Sequence, residues 1–164
     1  MDIHVRSRHQ MRSSDAKKIL KKLKEIFGPS DIDPGFEKKR FELVKTDRND
    51  IILVDGEPLI FTIDDEPFLT VKGALVVKPE KRTVVVDAGA TSFMAKGADV
   101  MRPGIVRAAP DIETNDLVIV VEETHGKALA IGRALIPGGE MVGDHGKAVK
   151  SIHRVGDSIW NVTP

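Results

Sequence analysis

The chain has no cysteine, no tyrosine and a single tryptophan among its 164 residues. Without thiols there can be no disulfide, no thiolate nucleophile and no cysteine-held zinc or iron–sulfur centre. The shortage of rings leaves no row of aromatics on which successive bases of a single strand could stack, so any RNA recognition should rest on shape and backbone contacts. Trp160, near the C-terminus, is expected in the core. No apolar run approaches the ~20 residues that span a bilayer. The charged N-terminal stretch also lacks the apolar segment of a secretory signal, so a cytoplasmic location is expected. Neither a GxSxG elbow nor a dinucleotide GxGxxG occurs. Gly146-Lys147 fails as a phosphate loop, because Met141 stands where the first glycine belongs and Ala148 where the hydroxyl belongs. His4, His9, His125, His145 and His153 are scattered without metal-ligand spacing. Asp87, Asp99 and Glu122 read as turn and surface carboxylates rather than a catalytic pair. No metal and no cofactor are expected.

Net charge is missing too, since 25 Lys and Arg balance 25 Asp and Glu. That argues against a strongly basic nucleic-acid tail, but the average hides an asymmetry. From residue 1 to 24, Arg6, Arg8, Arg12, Lys17, Lys18, Lys21, Lys22 and Lys24 face only Asp2 and Asp15. Residues 1–12 read either as a short edge strand or as a basic arm. From Ser14 onward, Ala16, Ile19, Leu20, Leu23, Ile26 and Phe27 form one helical stripe, with the lysines on the opposite face. Ser13 or Ser14 can cap this helix and Gly28-Pro29 ends it. The one-signed lysine face is either ordinary solvated surface or a docking surface for RNA.

Strands are expected at 41–44, 51–54, 59–63, 68–71 and 74–77, with Asp55-Gly56 marking a hairpin. One helix and several antiparallel strands make a small α+β domain, closed by the polar, proline-bearing segment 78–81. Beyond it, Val84-Val85-Val86 reads as a strand. A short helix follows, with Ala90, Phe93 and Met94 on one apolar face and Gly97 closing it at positive φ. Residues 97–105 then form an exposed glycine loop. Further strands are expected at 117–121, 128–135, 148–153 and 158–162, and their short lengths and turn spacing suggest a barrel or sandwich.

These motifs, Asp87-Ala88-Gly89-Ala90, Phe93, the run from Gly97 to Ile105, Asp116-Leu117-Val118, Ala130-Ile131-Gly132-Arg133-Ala134 and Gly156-Asp157, together resemble the PUA domain over about residues 81–162. The resemblance implies an α+β N-terminal domain at 1–78 followed by a mainly-β PUA pseudo-barrel at 79–164. It implies structured RNA, a tRNA or ribosomal RNA element, as ligand. Contact is then expected along the loop at Lys96, Gly97, Asp99, Arg102, Pro103 and Gly104, and on late strands at Arg133, Lys147, Lys150 and Arg154. The alternatives are that the glycines serve turn geometry alone and that Arg133 pairs with a carboxylate. Strand alternation would put Lys150 and Arg154 on one face and His153 on the other.

A small domain ahead of a PUA domain is similar to the malignant T-cell-amplified sequence family and to the N-terminal part of ligatin. That similarity implies a non-enzymatic protein of the translation apparatus. Its N-terminal domain would dock on the small ribosomal subunit or on a partner with an initiation-factor-like domain, using Lys17, Lys18, Lys21, Lys22 and Lys24. The competing class is an RNA-modification enzyme or its accessory subunit, although about eighty N-terminal residues are few for a catalytic domain. A purely protein-binding adaptor is the third reading.

Overall fold

The computed structural model describes residues 3–32 and 34–163; Met1, Asp2, Asp33 and Pro164, and with them the outer ends of the two expected domains, lie outside the described residues. Five strands, β1 (Val5–Gln10), β2 (Phe41–Thr46), β3 (Ile51–Val54), β4 (Glu57–Ile63) and β5 (Glu66–Leu69), form an antiparallel sheet in chain order. Asp55 and Gly56 both take positive φ, 49° and 86°, the tight two-residue turn that an Asp-Gly pair favours. The choice between edge strand and basic arm is resolved as β1, whose residues are all exposed. Helix α1 (Ser13–Phe27) buries Leu20, Leu23 and Phe27 and stops at Gly28, φ 93°. Arg12 occupies its N-cap without a side-chain hydrogen bond, so Ser13 and Ser14 lie inside the first turn rather than capping it.

Residues 74–77 are not a strand. They belong to helix α2 (Val71–Val77), and β5 ends two residues before it at Leu69. The β-branched residues suit either structure, and capping decides: Thr70 Oγ1 accepts the Gly73 N–H at 3.0 Å and donates to the Pro58 carbonyl at 2.7 Å. Gly73 itself faces the Leu59 carbonyl, where a Cβ would collide, so α2 crosses β4 at backbone contact.

The second sheet comprises β6 (Thr83–Val86), β7 (Val100–Met101), β8 (Ile105–Ala108), β9 (Leu117–Glu122), β10 (Ala128–Ala134) and β11 (Lys147–Arg154), in the order β7-β11-β10-β9-β6-β8. Strand β6 is parallel to β9, and every other pairing is antiparallel. The sheet curls into a nearly closed barrel around Val84, Val86, Val118, Val120, Ala130 and Val149. Helix α3 (Ala88–Met94) follows β6. The expected glycine loop is therefore partly strand, since β7 and β8 flank a 3-10 turn at Arg102–Gly104. The expected strand at 158–162 does not form: residues 158–161 are turn and Val162 is irregular, because Asp157 accepts the Trp160 N–H at 2.9 Å and folds the chain back.

The two sheets share one core. Leu117, Ile119, Ala128, Ile131 and Ile159 pack in the same cluster as Leu20, Phe27 and the first sheet, which leaves β3 buried along its whole length. A polar link crosses this junction: His153, 1% exposed, accepts the Val71 N–H on Nε2 at 3.1 Å. An amide N–H can only donate, so the ring proton sits on Nδ1 and is donated to Asp157 at 2.9 Å. Among the described residues no helix is long and apolar enough to cross a membrane, and no group of three potential ligands could hold a metal.

Burial pushes the Asp157 carboxyl up, but the His153 ring and the N–H groups of Trp160 and Arg154 outweigh it and hold the group below its ordinary range. The resulting stabilisation is present above the unfolded pKa of about 3.9 and is lost as pH falls through the lower folded value. Urea unfolding at a series of pH values should show a stability drop below about pH 4 that is shallower in Asp157→Asn, a variant already weaker at neutral pH. Gly73→Ala should cost about 1–3 kcal/mol by overpacking in the same measurement.

Candidate nucleic-acid interface

Helix α3 is fixed at both ends. Asp87 caps it by accepting the Ala90 N–H at 2.9 Å, and the Asp87 N–H donates to the Gly104 carbonyl at 2.9 Å, tying the helix start to the 3-10 turn. At Gly104 a Cβ would stand 2.8 Å from that of Ala90, so only glycine lets the turn approach so closely. At the other end Gly97, φ 86°, donates to Met94 at 3.0 Å and reverses the chain. Asp99 then accepts the Ser151 N–H at 2.9 Å and pairs with Lys147 Nζ at 3.4 Å, fastening the loop to β11. Asp99 thus positions the loop.

Between α3 and the turn lies a cleft of about 420 Å³ lined by Ala90, Phe93, Met94, Met101 and Pro103. Phe93 shares one apolar helical face with Ala90 and Met94 by spacing, yet it is 61% exposed while Met94 is buried. A seven-residue helix buries only a narrow stripe, and at 100° per residue Phe93 lies at its margin, 100° from Met94. Met101 is 45% exposed at the same cleft. An open aromatic and a thioether therefore line this site, despite the scarcity of rings in the sequence. The available signal was the isolated Phe93 itself, in a helix too short to bury all its apolar residues.

The expected cations separate into groups. Lys96 is exposed at the end of α3, and Lys147 is exposed despite its pairing with Asp99. Arg102 folds inward: its terminal nitrogens donate to the Val142 and His145 carbonyls, each at 3.3 Å, and Nε is buried with no partner among the described residues. Arg154 lies over Gly97 and donates from Nε to the Ala95 carbonyl at 3.3 Å.

Arg133 points away from the cleft. It donates to the Asn115 carbonyl at 2.7 Å and pairs with Asp64, of the β4–β5 turn, at 3.1 Å, so the carboxylate alternative describes this side chain. The expected sharing of a face by Lys150 and Arg154 is also corrected. Lys150 lies opposite Arg133 and His153 opposite Ile131, with a bulge between them on β11. The extra residue inverts the alternation, so Lys150 shares a face with His153 and not with Arg154. On α1, Lys17, Lys18, Lys21 and Lys22 are exposed, and Lys24 pairs with Glu37 at 2.8 Å.

Residues 82–156 match the PUA domain family and residues 1–72 the Pre-PUA-like domain family. An uncharacterized protein of Methanocaldococcus jannaschii is 45% identical over 97% of this chain and 98% of its own length. Translation machinery-associated protein 20 of Saccharomyces cerevisiae is 33% identical over 98% of this chain and 93% of its own. The malignant T-cell-amplified sequence 1 homolog of Drosophila melanogaster is 28% identical over 98% and 93%. Among solved structures, a hypothetical protein of Pyrococcus horikoshii superposes with a TM-score of 0.85 at 36% identity, over 96% of this chain and 100% of that one.

Arg102→Ala should release the 142–146 loop without unfolding the barrel. Hydrogen exchange should then accelerate at Gly143 to Lys147, with global stability lowered by less than about 2 kcal/mol.

Proposed function

The chain belongs to the family that joins a Pre-PUA-like domain to a PUA domain, and from that premise we propose that it is a non-enzymatic RNA-binding protein of the translation apparatus. The PUA domain grips structured RNA, a tRNA end or a ribosomal RNA element, in the cleft between α3 and the Arg102–Gly104 turn. The observation that carries this reading is the cleft itself: exposed Phe93 and Met101 beside Lys96 and Lys147, in a chain similar along its whole length to translation machinery-associated protein 20. Phe93 supplies a face for an unstacked base, Gly97 and Gly104 let a sugar–phosphate backbone come close, and the lysines neutralise phosphates. Asp99, Arg102 and Arg154 act by holding the loop, and Pro103 shapes its turn.

The second half of the proposal concerns docking. The exposed face formed by Lys17, Lys18, Lys21 and Lys22, with Lys24 at its margin, meets the small ribosomal subunit or a protein partner with an initiation-factor-like domain. The protein acts in the cytoplasm.

Binding of tRNA and of small ribosomal subunits, followed across an ionic-strength series, tests both parts. Phe93→Ala should weaken RNA binding by about 1–3 kcal/mol. Lys96→Ala and Lys147→Ala should each reduce the salt slope by about one unit. Arg133→Ala and Lys150→Ala should leave RNA affinity unchanged, and charge reversal of Lys18 and Lys22 should weaken subunit binding only. Retention of full affinity by the Phe93 and Lys96 variants would move the RNA site elsewhere. Loss of a specific tRNA or ribosomal RNA modification on deletion of the gene would replace the proposal with the enzymatic reading.

A further inference from the structure

On the barrel wall remote from its core, the alternation of β6 turns Val85 outward while Val84 and Val86 face inward. Val85 joins Ile119, Val121, Ala128 and, from α2, Leu75 to floor an open groove of about 720 Å³. Lys78, Arg107 and Lys127 stand exposed around it, opposed by one lining carboxylate, Glu80. Among the described residues none of these three cations has an ion-pair partner, whereas Arg82 close by is paired with Asp111 and Asp116. The sheet order also ends at β8, the strand carrying Arg107, so one edge of β8 has no neighbouring strand.

We propose that this groove binds an extended segment of a partner protein in which acidic and aliphatic residues alternate. Successive side chains of an extended segment point to opposite sides. Aliphatic residues can then lie against half-buried Leu75 and Val121, over the buried Val85 and Ile119, while carboxylates reach Lys78, Arg107 and Lys127. RNA fits the groove less well: among its lining residues His125 alone carries an aromatic ring, and the aliphatic floor offers a base no hydrogen-bond partner. A small polar ligand would need buried polar groups converging on the floor, and the floor residues are aliphatic.

Selection of short random peptides displayed on phage against the full chain tests the assignment, with the Arg107→Glu/Lys127→Glu variant as counter-target. Both changes are at exposed positions, and the variant should keep its melting temperature and its RNA affinity. The expected result is enrichment of peptides alternating Asp or Glu with Val, Ile or Leu. Their binding should be weakened about tenfold or more by the variant, and they should shift the amide NMR signals of β6, β8 and the β9–β10 hairpin. Peptides without acidic enrichment, equal affinity for the variant, shifts confined to other surfaces, or failure to select any binder would overturn it. Displacement of the selected peptide by an RNA oligonucleotide that shifts the same amides would also overturn it, in favour of a second RNA surface.

Discussion

The buried His153 imidazole is bonded on one side to the Val71 amide and on the other to the Asp157 carboxylate, and the relation between the two sheets depends on this contact. Each group would be costly to bury alone. Val71 lies in the first turn of α2, where an amide has no carbonyl within its own helix, and His153 supplies the acceptor. Asp157 orients the ring and also accepts the Arg154 and Trp160 amides. One side chain on β11 thereby joins the bridging helix to the C-terminal turn. The shared apolar cluster supplies bulk attraction, and the hydrogen bonds, being directional, select one arrangement.

The rigidity of that frame bears on the RNA-facing edge. Strand β11 carries His153 at the junction and, one residue later, Arg154 over Gly97, while Ser151 and Lys147 hold Asp99. The loop after α3 is consequently built on the strand that anchors the two halves. The division of labour among its cations follows from side-chain geometry. The planar guanidinium groups of Arg102, Arg133 and Arg154 donate in fixed directions and serve carbonyls and a carboxylate within the protein. Lysine places a compact charge on a flexible stem, and Lys96 and Lys147 remain exposed to solvent.

The barrel presents two surfaces of different chemistry. The α3 edge combines an aromatic ring, glycines and lysines, and the outer wall of β6, β8 and β9 combines aliphatic side chains with the exposed cations Lys78, Arg107 and Lys127. Strand alternation separates them. Val84 and Val86 fill the barrel core, and Val85 between them faces the groove.

Local pattern in the sequence was sufficient for α1, for the Asp-Gly hairpin, for the positions of β6 and β9 to β11, and for the closure of α3 at Gly97, because each is set by periodicity or by a residue with unusual backbone freedom. The motifs spread over the second half likewise carry the likeness to PUA domains without reference to any contact. Tertiary structure decided the rest. Residues 74–77 are helical because Thr70 and Pro58 meet across the fold. Residues 158–161 are turn because Asp157 is held by His153 and by nearby amides. The bulge on β11 exchanged the faces of His153 and Arg154, and only the partner strand reveals it. The direction of each arginine depended on carbonyls and carboxylates distant in sequence, such as Asp64 for Arg133. Phe93 is exposed because the helix presses only one narrow stripe against the barrel. Spacing along the chain specifies which residues can share a face, but the atoms opposite that face are set by the packed fold.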